Sequence, residues 1–156
     1  MKIDVVVPTK GEWTLPYCVK SLRKYVQIDR LILVTPRAYE ESMHKLADVL
    51  VTFDEKNVGK ARAKGLEHVE TKYYASVDGD VIISPHWYDW CIKTIQQRDV
   101  GACQGYAKPL AKNYSSLQEA FIRRGGMFNK GFCCLGNTML KTDLVRKLGI
   151  PELRVG

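Results

Sequence analysis

Apolar residues in this chain fall into short β-branched runs, and between the runs they recur at helical spacing. Ile3-Asp4-Val5-Val6-Val7-Pro8 is an aliphatic run closed by proline, which predicts a buried strand. Residues 13–25 place Leu15, Cys18, Val19 and Leu22, followed by Val26, on one side of a helix. Pro16 lies in its first turn, where a missing N–H is harmless. Leu31-Ile32-Leu33-Val34 predicts a second strand stopped by Thr35-Pro36, residues 38–48 a helix carrying Met43, Leu46 and Ala47, and Val49 to Phe53 a third strand. Asn57 is a good cap for a helix that shows Val58, Ala61, Leu66 and Val69 on one face. Tyr73 to Val77 predicts a fourth strand closing at Asp78-Gly79-Asp80. Pro85 opens a helix to about residue 97, and Val100 to Cys103 begins another strand. Past Gly105 the pattern is less regular. It predicts a helix over 114–124, a joint at Gly125-Gly126, a strand within Phe132 to Leu140, and a helix over 142–148 ended by Gly149 and Pro151.

This β-α-β order predicts an α/β fold, a mostly parallel central sheet with helices on both faces. A chain of 156 residues fits one domain, here residues 1–156, divided at 104/105 into a regular and a less regular half. In such sheets ligands bind beyond the carboxyl ends of strands. That rule points to Thr9 through Glu12 and to Asp78 through Asp80.

Composition adds exclusions. An apolar share of 46% and a charged share of 26% are those of a globular protein, and no stretch reaches the ~20 apolar residues of a membrane span. The run after Met1-Lys2-Ile3-Asp4 is too short for a secretory signal, so a soluble, cytoplasmic protein is expected. Net charge is +7, and its placement is uneven: residues 1–104 balance at +1, residues 105–156 at +6. That excess suits a phosphorylated substrate or peripheral contact with an anionic membrane, and is equally the charge of a solvated basic face. No helix-turn-helix, zinc or RNA-recognition signature is present, so nucleic acid is not an expected partner. The five cysteines show no CxxC spacing, and Cys91, Cys103, Cys133 and Cys134 read as small buried hydrophobes.

Asp78-Gly79-Asp80 is the sharpest chemical signal. Two carboxylates one residue apart project to the same side of an extended chain, and the glycine lets a ligand approach the backbone. A divalent cation, Mn²⁺ or Mg²⁺, would relieve their repulsion through oxygen ligands; by itself the tripeptide also reads as an acidic turn. The segment from Asn57 to Gly65 opens a helix with Lys60, Arg62 and Lys64 in its first turns. Cations there oppose the helix dipole unless an anion such as a diphosphate lies near, though a solvated basic face is the alternative. His86 is a weaker candidate metal ligand. Trp87, Tyr88 and Trp90 read mainly as helix packing, with a sugar-stacking wall as the alternative, and Arg123-Arg124 as a possible phosphate clamp.

Three of these motifs together resemble a known family. Val6-Val7-Pro8-Thr9-Lys10-Gly11-Glu12 looks like the opening strand and nucleotide loop of the large inverting family 2 of GT-A glycosyltransferases. Asn57, Gly59, Arg62 and Gly65 are similar to its Asn-x-Gly helix, and Asp78-Gly79-Asp80 falls where it keeps a metal-binding Asp-x-Asp. The resemblance implies a metal-dependent transfer of a sugar from a nucleotide diphospho-sugar, UDP- or GDP-linked, to a glycan, lipid-phosphate or protein acceptor, with inversion. It implies a nucleotide-sugar site of Pro8, Thr9, Glu12, Asn57, Gly59, Arg62, Asp78, Gly79 and Asp80. Asp80 would ligate the metal, and Asp78 would share it or bind the ribose. Residues 1–104 would form the nucleotide-sugar half and residues 105–156 part of the acceptor side. Two departures stand out. Val34-Thr35-Pro36-Arg37 replaces the family's Asp-Asp-Gly-Ser, with Arg37 a candidate substitute for binding base or phosphate. Gly156 falls about where the catalytic Glu-Asp pair would begin, so the base is not identified in these residues. A nucleotide-sugar or glycan-binding domain completed by a partner or a further C-terminal segment is the alternative function.

Overall fold

A computed structural model describes residues 1–105 and 135–150. The expected helix over 114–124, the Gly125-Gly126 joint, Arg123-Arg124 and Cys133-Cys134 lie outside them. Six strands form one sheet: β1 (Ile3–Pro8), β2 (Ile28–Thr35), β3 (Val49–Thr52), β4 (Tyr73–Val77), β5 (Ala102–Gln104) and β6 (Asn137–Lys141), in the order β3-β2-β1-β4-β6-β5. The pairs β1·β2, β1·β4 and β2·β3 are parallel, whereas β6 runs antiparallel to both β4 and β5. The sheet is thus mostly parallel, as the alternation predicts.

Side chains alternate across it because strand residues point to opposite faces. Val5, Val7, Leu31, Leu33, Ala75, Val77 and Met139 face helices α1 (Leu15–Tyr25) and α4 (Trp87–Ile95), which supply Leu15, Cys18, Leu22, Trp87, Cys91 and Ile95. On the reverse face Val6, Ile32, Val34, Val51, Tyr74 and Leu140 meet Leu66 of α3 (Val58–Leu66) and Val145 of α5 (Thr142–Leu148). Cys18, Cys91 and Cys103 are buried free thiols. Among the described residues no helix is long and apolar enough to cross a membrane.

Element boundaries differ from expectation in one substantial place. Residues 38–48 form only a 3₁₀ turn (Arg37–Tyr39) and one helical turn, α2 (Glu40–Met43). The chain must reach β3 there, and Asp48 fixes the arrival. Its carboxylate accepts the Leu31 N–H at 2.7 Å and the Arg23 guanidinium at 2.8 Å, so residues 44–48 leave the helix. The strand β2 begins three residues before the predicted start, pairing Ile28 with Ile3.

Between the Ile3–Ile28 and Val5–Leu31 pairs the register slips, so that Asp29 and Arg30 stand opposite the single residue Asp4. Asp4 is fully buried. It accepts from Arg30 Nε at 3.2 Å and Nη2 at 2.8 Å, and from the backbone N–H groups of Glu70 at 2.7 Å and Thr71 at 3.3 Å. This cluster ties β1 to the turn that feeds β4. That turn and β4 carry the chain to one side of the site described below.

Close packing of α3 on the sheet depends on Gly65. A Cβ there would lie 2.4 Å from Val6 Cγ1 and 2.9 Å from Val34 Cγ2. Gly65→Ala is therefore expected to destabilise the protein by about 1–3 kcal/mol through overpacking, outweighing the ~1 kcal/mol that alanine gains in helix propensity. A lower urea midpoint at unchanged slope is the confirming result.

Candidate functional site

The strands β1 and β4 are neighbours, but the chain leaves β1 toward β2 on the opposite side. Their carboxyl ends therefore flank the point where the strand order reverses, the usual ligand crevice of open α/β sheets. The first loop at this rim is organised by Thr9 and Glu12. The Thr9 hydroxyl donates to the Glu12 carboxylate and accepts the Gly11 N–H at 3.0 Å, while the Lys10 N–H donates to Glu12 Oε1 at 3.1 Å. Gly11 turns with φ +76°, a left-handed conformation that glycine adopts without strain. Gly79 presses on this loop: a Cβ there would stand 2.8 Å from Glu12 Oε2 and 3.3 Å from Thr9 Oγ1. The Thr14 hydroxyl then donates to the Gly79 carbonyl at 3.2 Å, locking the loops together at the start of α1.

The two aspartates of the second loop have different environments. Asp78 Oδ1 is held by the Arg62 guanidinium in a short, charge-assisted hydrogen bond, and the Asp78 N–H donates to Gly136 O at 2.9 Å. Arg62 is buried and reaches Asp78 from the inner side of α3. Gly136 is close enough that a Cβ would meet Asp78 Oδ2 at 2.3 Å. Asp80, by contrast, is exposed and has no hydrogen bond or ion pair among the described residues. Burial pushes the Cys18 thiol up to about 12, and the charges of Asp80, Asp78 and Glu12 add to the effect.

Beside the rim lies a cleft of about 240 Å³ at the ends of β1, β2 and β3. Val34, Pro36, Phe53, Val58 and Ala61 give it an apolar wall, and Pro8, Thr9, Lys10, Glu12, Glu55, Lys56 and Asn57 line the remainder. The Asn57 side chain caps α3 by accepting the Lys60 N–H at 3.0 Å, as its position predicts. Gly59 is buried in the first turn of that helix.

The sequence pattern of Glycosyl transferase family 2 matches residues 4–149. The chain belongs to that family. Solved structures agree on the GT-A fold. A mannosyltransferase from Pyrobaculum calidifontis, described in complex with GDP-Man and Mn²⁺, superposes with a TM-score of 0.71 at 17% identity over 99% of this chain and 48% of its own. Glucosyl-3-phosphoglycerate synthase from Mycobacterium tuberculosis with UDP gives 0.64 at 17%, covering 92% of this chain and 58% of its own. TarS from S. aureus gives 0.61 at 16%, covering 95% and 49%. This family 2 chain thus spans about half the length of the solved structures it matches. No protein of curated function matches it in sequence.

For a family 2 chain, the arrangement divides the expected site residues in two. Pro8, Thr9, Glu12 and Asn57 line the cleft; Arg62, Asp78, Gly79 and Asp80 form the rim next to it. The cations of α3 each meet a carboxylate of the chain: Lys60 meets Glu55 at 2.9 Å and Arg62 meets Asp78, while Lys64, which stands in the last turn of this short helix and not in its first turns as expected, meets Glu67 at 2.6 Å. The helix start therefore needs no bound diphosphate to offset its charge. Arg37 is not in the cleft either; its side chain is exposed beside Asp54. His86 is exposed at the start of α4. Trp87 and Tyr88 are buried in the core, as expected, and Trp90 is exposed.

The sequence reading missed the apolar wall. The rule that located Thr9 and Asp78 applies equally to the ends of β2 and β3, and would have picked out Pro36 and Phe53. As for a metal, the available donor chemistry fits a hard divalent cation. Asp80 offers an exposed oxygen ligand that has no hydrogen bond or ion pair among the described residues. No group of three His, Cys, Asp or Glu side chains is assembled for metal binding among the described residues. A bound diphosphate or water would supply further oxygen ligands.

The different environments of the aspartates make a testable contrast. Asp78→Ala leaves the buried Arg62 without its counter-charge and is expected to lower the melting temperature of the unliganded protein, by about 2 kcal/mol or more of stability. Combining Arg62→Met with Asp78→Ala in one chain is expected to recover part of that loss, since it removes the stranded charge.

Proposed function

We propose that this chain forms the donor side of a glycosyltransferase that moves a sugar from a nucleotide diphospho-sugar to a glycan, lipid-phosphate or protein acceptor, with inversion. The observation that carries the reading is the exposed carboxylate of Asp80 at the strand switch point, unpaired among the described residues and one residue from the glycine that closes on the Thr9–Glu12 loop. In this reading the base lies against Phe53, Val34 and Pro36, and the ribose is held by the Thr9–Glu12 loop and the second oxygen of Asp78. Arg62 fixes Asp78 and is a positioning residue. Asp80 holds Mn²⁺ or Mg²⁺, which, when bound, stabilises negative charge on the departing diphosphate as a Lewis acid. Binding of GDP-Man with Mn²⁺ and of UDP by the two structural neighbours named above supports this choice of donor class.

The test is a thermal-shift panel of GDP, UDP and their hexose conjugates with and without Mn²⁺. Near a hundredfold excess over the dissociation constant, a true ligand adds about 2.7 kcal/mol, a rise of roughly 5–10 °C for a domain of this size. A panel in which no nucleotide diphosphate or conjugate shifts the transition, with or without the metal, overturns the reading.

A further inference from the structure

Large hydrophobic side chains that a folded domain leaves in water are informative when they share one surface. Trp13 is 82% exposed, Tyr17 57% and Trp90 54%. The helices α1 and α4 cover the same face of the sheet, because their inner sides build one core cluster. Their outer sides carry these aromatics together with lysines. Tyr17, Lys20 and Lys24 follow one another at intervals of three and four along one side of α1, Trp13 in the turn before the helix packs against Tyr17, and all four are exposed. Trp90 and Lys93 repeat the pairing on α4, three residues apart and both exposed. None of the three lysines is ion-paired among the described residues, and α1 contains no acidic residue at all. Asp89 is the acidic neighbour on α4.

We propose that this outer surface docks on an anionic lipid bilayer. Tryptophan and tyrosine favour the boundary between headgroups and acyl chains, and lysine ammoniums on the same helix face meet the negative headgroups. The aromatics stand at the rim end of this surface and the lysines farther along α1. Trp13 and Tyr17 pack edge-to-face, with centroids 6.3 Å apart and planes at 77°, so they do not present the parallel ring faces on which successive nucleobases stack. The Thr14–Gly79 hydrogen bond places the aromatic end beside Asp78-Gly79-Asp80, so a docked molecule would hold its rim close to the lipid surface. The exposed Ile82 follows that loop, which Ser21 of α1 binds through the Ile83 N–H at 2.9 Å. The inference goes beyond the donor-side reading and stands without it, since bilayer binding requires no sugar nucleotide.

Cosedimentation of the full chain with vesicles tests it. The protein is expected to pellet with phosphatidylcholine vesicles that contain phosphatidylglycerol and to stay in solution with phosphatidylcholine alone, and high salt should release it. Lys20→Gln with Lys24→Gln is expected to lower the partition coefficient about thirtyfold. Trp13→Ser with Tyr17→Ser should lower it roughly tenfold or more. All four positions are exposed, so melting temperatures should match the parent, confirming that the variants fold. Equal behaviour with neutral and anionic vesicles, unchanged partition in both variants, or binding to single-stranded RNA but not to vesicles overturns the proposal.

Discussion

Asp80→Ala is expected to abolish the Mn²⁺-dependent part of donor-induced stabilisation while leaving the unliganded protein as stable as the parent. The expected loss is the whole metal-dependent share of a shift of about 5–10 °C. The unliganded protein should not change, because the Asp80 side chain is exposed and makes no hydrogen bond or ion pair among the described residues. Surface substitutions of that kind usually fall within about 0.5 kcal/mol of the parent. The measurement is a melting curve at saturating donor with Mn²⁺ and with chelator, for parent and variant. A variant that keeps the full metal-dependent shift removes Asp80 from the metal site. Comparison with Asp78→Ala sharpens the result: that variant should lose stability before any ligand is added, because Arg62 is its partner.

The second large effect is structural and depends on pH. Asp4→Asn is expected to destabilise the protein by about 3 kcal/mol at neutral pH, near the lower end for disrupting a buried pair, because Arg30 retains a quarter of its side chain in solvent. For this size of domain that is a fall of about 6–12 °C. Burial acts to raise the Asp4 carboxyl, but the bonds from Arg30 and from the Glu70 and Thr71 N–H groups prevail, so it titrates below the ordinary carboxylate range. A depressed folded-state pKa gives stability that is complete above the unfolded value of about 3.9 and is lost as pH falls through the folded value. The gap between parent and variant should therefore be widest at neutral pH and close at strongly acidic pH. A gap that stays constant through the acid range would assign the loss to packing instead of charge. Asp48, held low by Arg23, contributes to the parent's acid sensitivity in the same sense and is untouched in this variant.

The sequence showed the layered fold clearly because its strands are strongly β-branched and buried on both faces. β1 and β4 were located to the residue, and α5 between its ends, since proline, glycine or aspartate bounds them. The short α2 was not legible. Residues 38–48 have helical spacing, and only the tertiary bonds of Asp48 to Leu31 and Arg23 end the helix early. The burial of Asp4 also escaped the reading, because an acidic residue in an aliphatic run does not announce its partner twenty-six residues away. At the site, the placing of the Thr9 and Asp78 loops at one edge of the sheet followed from the rule that ligands bind beyond the carboxyl ends of strands, but the division of labour between Asp78 and Asp80 did not. It depends on the reach of Arg62 across from α3, which no local pattern contains. The cations of α3 looked like phosphate ligands for the same reason: their carboxylate partners, Glu55, Glu67 and Asp78, all lie outside the helix.

The placement of β6 has a consequence for biosynthesis. This strand comes from the far end of the chain, yet it is wedged between β4 and β5, pairing Tyr74 with Leu140 on one side and Cys103 with Met139 on the other. On the ribosome, β1 through β4 can assemble as soon as they emerge, but the open edge of β4 must wait for Asn137 to Lys141 to clear the exit tunnel. Throughout that interval a nascent chain shows an unpaired strand border, the kind of surface that chaperones cover and that mispairs with neighbouring chains.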